Sequence, residues 1–254
     1  MEKFEREGQK YWETFGKSLE LLPRQYFDFV SAEKYRELLE RYDLNNKKVV
    51  DIGAGYPPPL TESPERELSP LSSELQEILK QKDAKIIPVD VAENALKYQK
   101  EKGRESVMGN AFQLPFKNES IDGGAVILNL FNSSFKGEGG KEIFINPEEC
   151  KKILEETHRI LQHDKFAIIN NYGYMLAKMD NLVKFMGPEE SQIITPEIIE
   201  KLAEETGFTK IENIPLDSEK MEMGRKIIYE SFPEQLRERI SVDLESSGAV
   251  LIEK

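Results

Sequence analysis

Two acidic residues, each beside a short run of apolar residues, are the part of this chain best suited to chemistry. Asp51 lies in the predicted strand 47–52 and begins the motif Asp51-x-Gly53-x-Gly55, whose glycines let the backbone turn sharply and lie against a ligand. Asp90 ends the next predicted strand. In doubly wound folds a carboxylate at that point faces the hydroxyl groups of a bound ribose. The two residues predict an adenosine-containing ligand at the carboxyl edge of a parallel sheet, but not what reacts with it.

Two other kinds of glycine-rich turn follow strands in nucleotide-binding folds, and this motif fits neither. The dinucleotide fingerprint requires a third glycine three positions beyond Gly55, where this chain has Pro58. A Walker loop requires Gly-Lys-Ser or Gly-Lys-Thr, and neither follows. The dinucleotide fingerprint and the Walker loop are therefore both excluded. The later motifs of the chain must identify the class of ligand.

Extended and helical patterns alternate along the chain and predict the scaffold of this site. Strands are expected at 47–52, 85–90, 105–108, 125–130, 166–170, 210–214 and 249–253. Helices are expected at 3–22, 31–42, 71–82, 92–102, 147–161 and from Thr195 to Gly207. Ser31 is a predicted N-cap, and Gly103 is a predicted C-terminal stop. The alternation predicts an α/β fold with one open seven-stranded sheet.

Composition limits the classes of partner. The net charge of −12 disfavours nucleic acid, because a phosphate backbone would be repelled by the field of the whole chain. The single cysteine, Cys150, excludes an intramolecular disulfide framework and a thiolate-built zinc site, and a structural role is expected for it. The longest central apolar run, 125–128, is broken by Asn129 and is far too short to span a membrane. Residues 1–6 are mostly charged and lack the apolar core of a signal peptide. We expect a cytoplasmic protein without a membrane partner.

Further sequence motifs follow Asp90 along the chain. Asn110-Ala111-Phe112-Gln113-Leu114-Pro115-Phe116 leads into Ile121-Asp122 and the fourth strand, and the passage 153–169 runs from a helix into the fifth strand. With the Asp51 motif and Asp90, this series resembles the class I S-adenosylmethionine-dependent methyltransferases, in particular the type 11-like domain, over roughly residues 45–215. The resemblance implies a Rossmann-like, mostly parallel sheet with helices on both faces and an antiparallel C-terminal strand.

The resemblance also implies roles for individual residues, with S-adenosylmethionine as the cofactor. Asp51, Gly53, Ala54 and Gly55 would lie beside its methionine half, and Asp90 would accept both ribose hydroxyls. The adenine would be held by Val91, Asn110, Ala111 and Phe112, and Asn129 would face the reacting centre. Substrate contacts would come from Tyr11, Phe131, Tyr172 and Tyr174, although plain packing is an open alternative for Tyr11. No metal is required, and no general base is assigned.

Two departures from the family pattern concern the turn after the first strand. Tyr56-Pro57 stands where the family often has small residues. Asp51 and Asp90 are 90 − 51 = 39 positions apart, whereas about 20 are expected. The excess corresponds to the segment 56–70, whose five prolines exclude a regular element. Three interpretations of this segment stay open: a loop over the cofactor, a wall facing the substrate, and a disordered insertion.

Three functions follow from these motifs. The first is methyl transfer to a small-molecule acceptor, the second is methylation of a protein or RNA, and the third is cofactor binding without catalysis. We expect one domain over 1–254, with a helical cap at 1–45, a cofactor-binding core at 46–215, a substrate-side insertion at 171–194 and a C-terminal helix and strand at 216–254. The acceptor and the oligomeric state do not follow from the sequence.

Overall fold

The structure is a computed structural model. It describes residues 29–54, 74–101, 103–128, 130–131, 134–136, 142–171, 194–231 and 248–254. The predicted helix 3–22, the proline-rich segment 56–70 and nearly all of the predicted insertion 171–194 lie outside the described residues.

Apart from one short pair of strands, the helices and strands occur in the order that the sequence predicts. The helices are α1 (Ala32–Leu39), α2 (Glu74–Gln81), α3 (Glu93–Glu101), α4 (Pro147–Ile160), α5 (Pro196–Glu205) and α6 (Ser218–Ser231). The strands are β1 (Lys48–Ile52), β2 (Lys85–Asp90), β3 (Val107–Met108), β4 (Gly124–Leu128), β5 (Ser134–Lys136), β6 (Glu142–Phe144), β7 (Phe166–Asn171), β8 (Lys210–Ile214) and β9 (Gly248–Glu253).

Seven of these strands form one sheet in the order β3-β2-β1-β4-β7-β9-β8. The pairs from β3 to β7 are parallel, and β9 is antiparallel to both β7 and β8. The predicted fold class is therefore confirmed, including the antiparallel C-terminal strand. Because β1, β2, β4 and β7 run in the same direction, their carboxyl ends meet at one edge of the sheet.

Helices cover both faces of the sheet, and each face has its own apolar core. On one face Tyr35 of α1 and Ile78 of α2 pack with Val49 and Val126. On the other face α4 and α5 pack with the alternate residues of the same strands, such as Ile52 and Ile127. The strands read as continuous apolar runs because both of their faces are buried.

Local signals explain where several elements end. The Ser31 hydroxyl accepts from the Lys34 amide at 3.2 Å and caps α1 as predicted. Asn146 and Glu149 form a capping box at α4, whose first residue is Pro147. Gly103 follows α3 with a φ of 74°, a conformation that glycine adopts without strain.

One glycine in the sheet is required by close packing. A Cβ atom on Gly124 would lie 2.6 Å from Cζ of Phe166, the first residue of the neighbouring strand β7. The ring of Phe166 also contacts Tyr42, with 4.5 Å between the ring centroids. Gly124 therefore lets a buried aromatic ring lie across β4.

The structure differs from the sequence predictions at the ends of several elements: for example, β3 begins at Val107 rather than residue 105, and α1 ends at Leu39 rather than residue 42. The fourth strand ends at Leu128 rather than residue 130. The antiparallel pair β5–β6 between β4 and α4 was not predicted, because strands of three residues carry too little periodicity to be recognised. Within the described ranges, no helix has both the length and the apolar character needed to cross a membrane.

Candidate functional site

The carboxyl edge of the sheet brings together the two acidic residues that the sequence singles out. Asp51 lies opposite Pro88 and Ile52 opposite Val89 in the β1–β2 register, so Asp90 ends its strand beside the turn that follows β1. Gly53 and Ala54 begin that turn. The predicted site residues of the first two strands therefore form one group.

The glycine turn is fixed to the neighbouring strand by its own backbone. The amides of Gly53 and Ala54 both donate to the Val89 carbonyl, at 2.9 and 3.1 Å. Gly53 has a φ of 72°, and a Cβ atom there would lie 3.0 Å from Cδ1 of Leu130. Only glycine meets both conditions without strain. The two amide hydrogen bonds hold the turn against the end of β2.

Asp90 is held at its position by the backbone on both sides. Its Oδ1 accepts from the Ala92 amide at 2.8 Å, and its carbonyl accepts from the Gly109 amide at 3.0 Å. The side chain is partly exposed. A carboxylate oriented in this way at the end of β2 is suited to hydrogen bonding with a diol.

Asp51, in contrast, is buried, with 3% of its surface exposed. Its Oδ2 accepts from Nε2 of Gln76 on α2 at 2.8 Å. Burial raises the pKa of Asp51 to about 7, because desolvation and the nearby Asp90 outweigh the opposing effects of Arg104 and the Gln76 hydrogen bond. Near neutral pH this carboxyl can therefore gain or lose a proton in response to a neighbouring charge.

The loop after β3 forms a compact turn around Asn110. Its Oδ1 accepts from the Phe112 amide at 3.0 Å, and its carbonyl accepts from the Gln113 amide at 2.9 Å. An amide oxygen has two lone pairs, so this contact leaves room for a second donor. Ala111 and Phe112 pack on the core that α4 covers, and Val91 is partly exposed beside Asp90.

Glu156 of α4 anchors the same loop from the other side. Its Oε2 accepts from the Leu114 amide at 2.7 Å, and Arg159 donates from Nη2 to the Leu114 carbonyl at 3.0 Å and from Nη1 to the Phe116 carbonyl at 2.8 Å. The hydrogen bond from the Arg159 side chain holds the pKa of Glu156 below its usual value, because together with the Leu114 amide it outweighs burial, which acts in the opposite direction. The loop that contains Asn110 is thus rigidly attached to α4.

The structure does not describe every residue that the sequence predicts for the site. Gly55, Asn129, Tyr11, Tyr172 and Tyr174 lie outside the described residues.

The structure also describes Phe131 and Asp122, two residues that the sequence analysis names. Phe131 is 1% exposed and packs in the core covered by α4, which favours a structural role, and its substrate contact stays a prediction. Asp122 lies at the opposite, amino edge of the sheet, where its Oδ1 accepts from the Lys48 amide at 2.9 Å.

Three polar residues around Asp51 were not predicted. Gln76, Gln99 of α3 and Arg104 form a hydrogen-bonded group in which Nη1 of Arg104 donates to Oε1 of Gln99 at 2.9 Å and to Oε1 of Gln76 at 3.3 Å. Polar residues in amphipathic helices normally face solvent, so no local signal marks these glutamines.

Comparisons with known proteins bear on the domain and the fold. Residues 67–169 match the model of a family described as a methyltransferase domain. A search among curated proteins found no match.

Solved structures share the fold over most of the chain. A provisionally assigned sarcosine dimethylglycine methyltransferase from Galdieria sulphuraria is 14% identical with a TM-score of 0.52, covering 87% of this chain and 82% of its own. A protein from Pyrococcus horikoshii is 15% identical with a TM-score of 0.51 and coverages of 93% and 98%. A SAM-dependent methyltransferase from Aquifex aeolicus is 13% identical with a TM-score of 0.50 and coverages of 93% and 96%.

These likenesses support the fold, and the family match covers the region that contains Asp90, the Asn110 loop and the third to fifth strands of the parallel sheet. With the strand order, the match identifies residues 67–169 as a methyltransferase domain, carried on a sheet like that of the S-adenosylmethionine-dependent methyltransferases among the solved structures.

Proposed function

We propose that this enzyme transfers the methyl group of S-adenosylmethionine to a small-molecule acceptor at the carboxyl edge of β1, β2 and β4. The observation that carries the proposal is the pair of carboxylates, Asp51 and Asp90, at the ends of adjacent strands in a chain with a net charge of −12. Such an edge favours a compact or cationic ligand over a polyanion.

The residues at this edge fit the cofactor. The oriented carboxylate of Asp90 is suited to accept from both ribose hydroxyls, and the Asn110 loop is suited to flank the adenine. Asp51 is a buried carboxyl with a pKa of about 7, and a positive charge beside it would favour its ionised form. The ammonium and sulfonium groups of the methionine half supply such a charge.

The chemistry asks for alignment more than for side-chain participation. When bound, the cofactor would supply an electrophilic methyl group: a lone pair of the acceptor forms a bond to the methyl carbon while the bond from that carbon to sulfur breaks in line, with S-adenosylhomocysteine as the leaving group. The residues of this chain bind the adenosine and methionine parts, orient them and exclude water, and this ordering provides most of the rate enhancement of a two-substrate reaction. An acceptor with an acidic proton also requires a base, for which the described residues offer no assignment.

Charge pairing at the same edge supports the small-molecule alternative over RNA. Lys220 of α6 forms an ion pair with Glu74 at 2.9 Å and also donates to the Val30 carbonyl at 2.9 Å. Arg104 is engaged by the two glutamine carbonyls. Both cations are therefore committed to internal partners, and binding a phosphate backbone would require breaking these contacts.

Labelled methyl transfer tests the proposal. The purified enzyme is incubated with methyl-labelled S-adenosylmethionine and, in separate reactions, a panel of small amines, thiols and hydroxyl compounds, a denatured protein mixture and total RNA. Sarcosine belongs in the panel because it appears in the name of one structural relative, although that likeness supports the fold alone. We expect label in a small acceptor, and much less label with the Asp90→Ala variant at a cofactor concentration near the dissociation constant of the unchanged enzyme.

Two results would contradict the proposal. Label recovered in protein or RNA would establish the macromolecular alternative. Tight binding of S-adenosylmethionine with no transfer to any of the three classes would favour a cofactor-binding protein without catalysis.

A further inference from the structure

The group around Asp51 is built in an unusual way, because the carboxyl is bound by a neutral side chain that is itself bound by a cation. Gln76 donates from Nε2 to Asp51 at 2.8 Å, and Oε1 of the same amide accepts from Nη1 of Arg104 at 3.3 Å. Arg104 thus reaches Asp51 through one intervening amide. The three residues come from β1, α2 and the segment between α3 and β3.

The cation determines which end of the Gln76 amide faces Asp51. The two ends of a glutamine amide have nearly the same shape, but one donates and the other accepts. A guanidinium at the oxygen end holds that end away from the carboxyl, so the NH2 group must face Asp51. The positive charge also polarises the amide and strengthens the hydrogen bond that it donates.

Arg104 is itself held in place by α3. Its Nη1 donates to Oε1 of Gln99 at 2.9 Å, and Gln99 is 1% exposed. Among the residues that the structure describes, the buried Nε2 atom of Gln99 has no hydrogen-bond partner, while the Oε1 atom of the same amide faces Arg104. A buried donor without a partner costs free energy, and the same side chain holds the Arg104 guanidinium through its oxygen. This indicates that the fold favours one position of Arg104.

We propose that Arg104 is a positioning residue for the cofactor, which acts through Gln76 to keep Asp51 oriented and ready to bind the cationic methionine half. The proposal rests on the cofactor site proposed above. Arg104 touches neither the cofactor nor the acceptor in this scheme, and its effect is transmitted by the two hydrogen bonds.

The charged groups that face Asp51 determine how binding should depend on pH. Desolvation raises the pKa of Asp51 to about 7, Arg104 lowers it and Asp90 at the end of β2 raises it. On the packed helices, Glu74 of α2 and Lys220 of α6 form an ion pair with each other at 2.9 Å. Because a cationic ligand binds the ionised form, affinity should increase with pH until Asp51 is fully ionised and then level off.

The test measures the dissociation constant of S-adenosylhomocysteine by calorimetry between pH 5.5 and 8.5. This ligand keeps the ammonium group of the methionine half and is stable over the titration. For the unchanged enzyme we expect binding about tenfold weaker at pH 6 than at pH 8, the consequence of one proton lost near pH 7. For Arg104→Met we expect the midpoint of this profile to rise by about one pH unit, with affinity recovered at the alkaline end.

Three further variants make the result specific. Arg104→Lys keeps the charge and should restore a midpoint close to that of the unchanged enzyme. Gln76→Met removes the intervening amide and should raise the midpoint as Arg104→Met does, which provides a second route if one variant folds poorly. Arg41→Met removes an exposed cation that is paired with Glu212, and should leave the midpoint unchanged.

The outcomes separate this proposal from the cofactor site on which it rests. A uniform loss of affinity in Arg104→Met at every pH, with no change of midpoint, would mean that Arg104 only joins α2 to α3, and would overturn the proposal. An unchanged profile would overturn it as well. If Asp51→Asn binds as tightly as the unchanged enzyme and keeps its pH profile, the assignment of Asp51 to the cofactor site fails first, whatever Arg104 does.

Discussion

Replacing Asp51 by Asn should make the folded chain more stable at alkaline pH, while weakening cofactor binding. Asp51 is almost fully buried, and its pKa is raised from 3.8 to about 7 in the folded chain. Between these values the folded chain binds a proton that the unfolded chain does not bind. The free energy of unfolding therefore falls as the pH rises through this range, and the contribution is lost above pH 7.

The size of the change in the free energy of unfolding follows from the pKa shift of Asp51. Each pKa unit corresponds to 1.36 kcal/mol, so a shift of about three units costs the ionised form about 4 kcal/mol at pH 8. Asparagine carries no charge and can still accept from Gln76, but its NH2 group introduces a donor that costs about 1–3 kcal/mol if unpaired. We expect a net gain of about 1–3 kcal/mol at pH 8, shrinking by about 1.4 kcal/mol for each pH unit below 7.

Urea unfolding of both proteins, followed by circular dichroism at pH 5, 6, 7 and 8, provides the comparison. Because every other titrating group is common to the two proteins, the difference between them isolates Asp51. Asp122→Asn is the matched control: although burial acts in the opposite direction, the Lys48 amide and Lys47 hold the pKa of Asp122 below its usual value, so this variant should lose stability at pH 8. An Asp51→Asn variant that is less stable at pH 8, with a difference independent of pH, would refute the reasoning.

Three other substitutions test the packing that holds the site. Gly124→Ala forces a Cβ atom to within 2.6 Å of the Phe166 ring and should lower the free energy of unfolding by about 1–3 kcal/mol, a loss that thermal unfolding would detect as a lower Tm. Tyr35→Phe removes the hydroxyl that accepts from Nδ2 of Asn170 at 3.0 Å between two buried side chains, and should cost about 1 kcal/mol in the same assay; no loss would mean that this hydrogen bond adds nothing. Gly53→Ala places a side chain at a φ of 72° and should cost about 1–2 kcal/mol in stability and weaken S-adenosylhomocysteine binding, whereas full affinity would show that the turn tolerates a Cβ atom.

The parts of the fold that local signals control could be predicted from the sequence. Strand β2 was predicted with its observed bounds, since Lys85–Asp90 is a short apolar run between polar turns. Helix ends at Ser31, Pro147 and Gly103 were found because capping chemistry depends on residues next to each other in the chain. The acidic residues of β1 and β2 were found because parallel strands bring their carboxyl ends to one edge.

The surroundings of Asp51 could not be predicted in this way. The sequence shows an acidic residue in a buried strand, but its partner Gln76 is 25 positions away and lies in a helix whose polar residues look like a solvated face. The contacts of Arg104 depend on where the tertiary structure places Gln76 of α2 and Gln99 of α3 relative to each other. Such contacts are set by tertiary structure, and they determine the charge state of the group that the motif identified.

The measurement that tests the central claim most directly is a calorimetric titration of the enzyme, of Asp90→Ala and of Asp122→Asn with S-adenosylmethionine and S-adenosylhomocysteine. We expect micromolar binding of both ligands by the unchanged enzyme and by Asp122→Asn, whose substitution lies at the opposite edge of the sheet. Asp90→Ala should bind more weakly by about 1.5–3 kcal/mol, the loss of hydrogen bonds to a charged carboxylate. Equal affinity of Asp90→Ala and the unchanged enzyme would contradict a cofactor site at the carboxyl edge of β1 and β2.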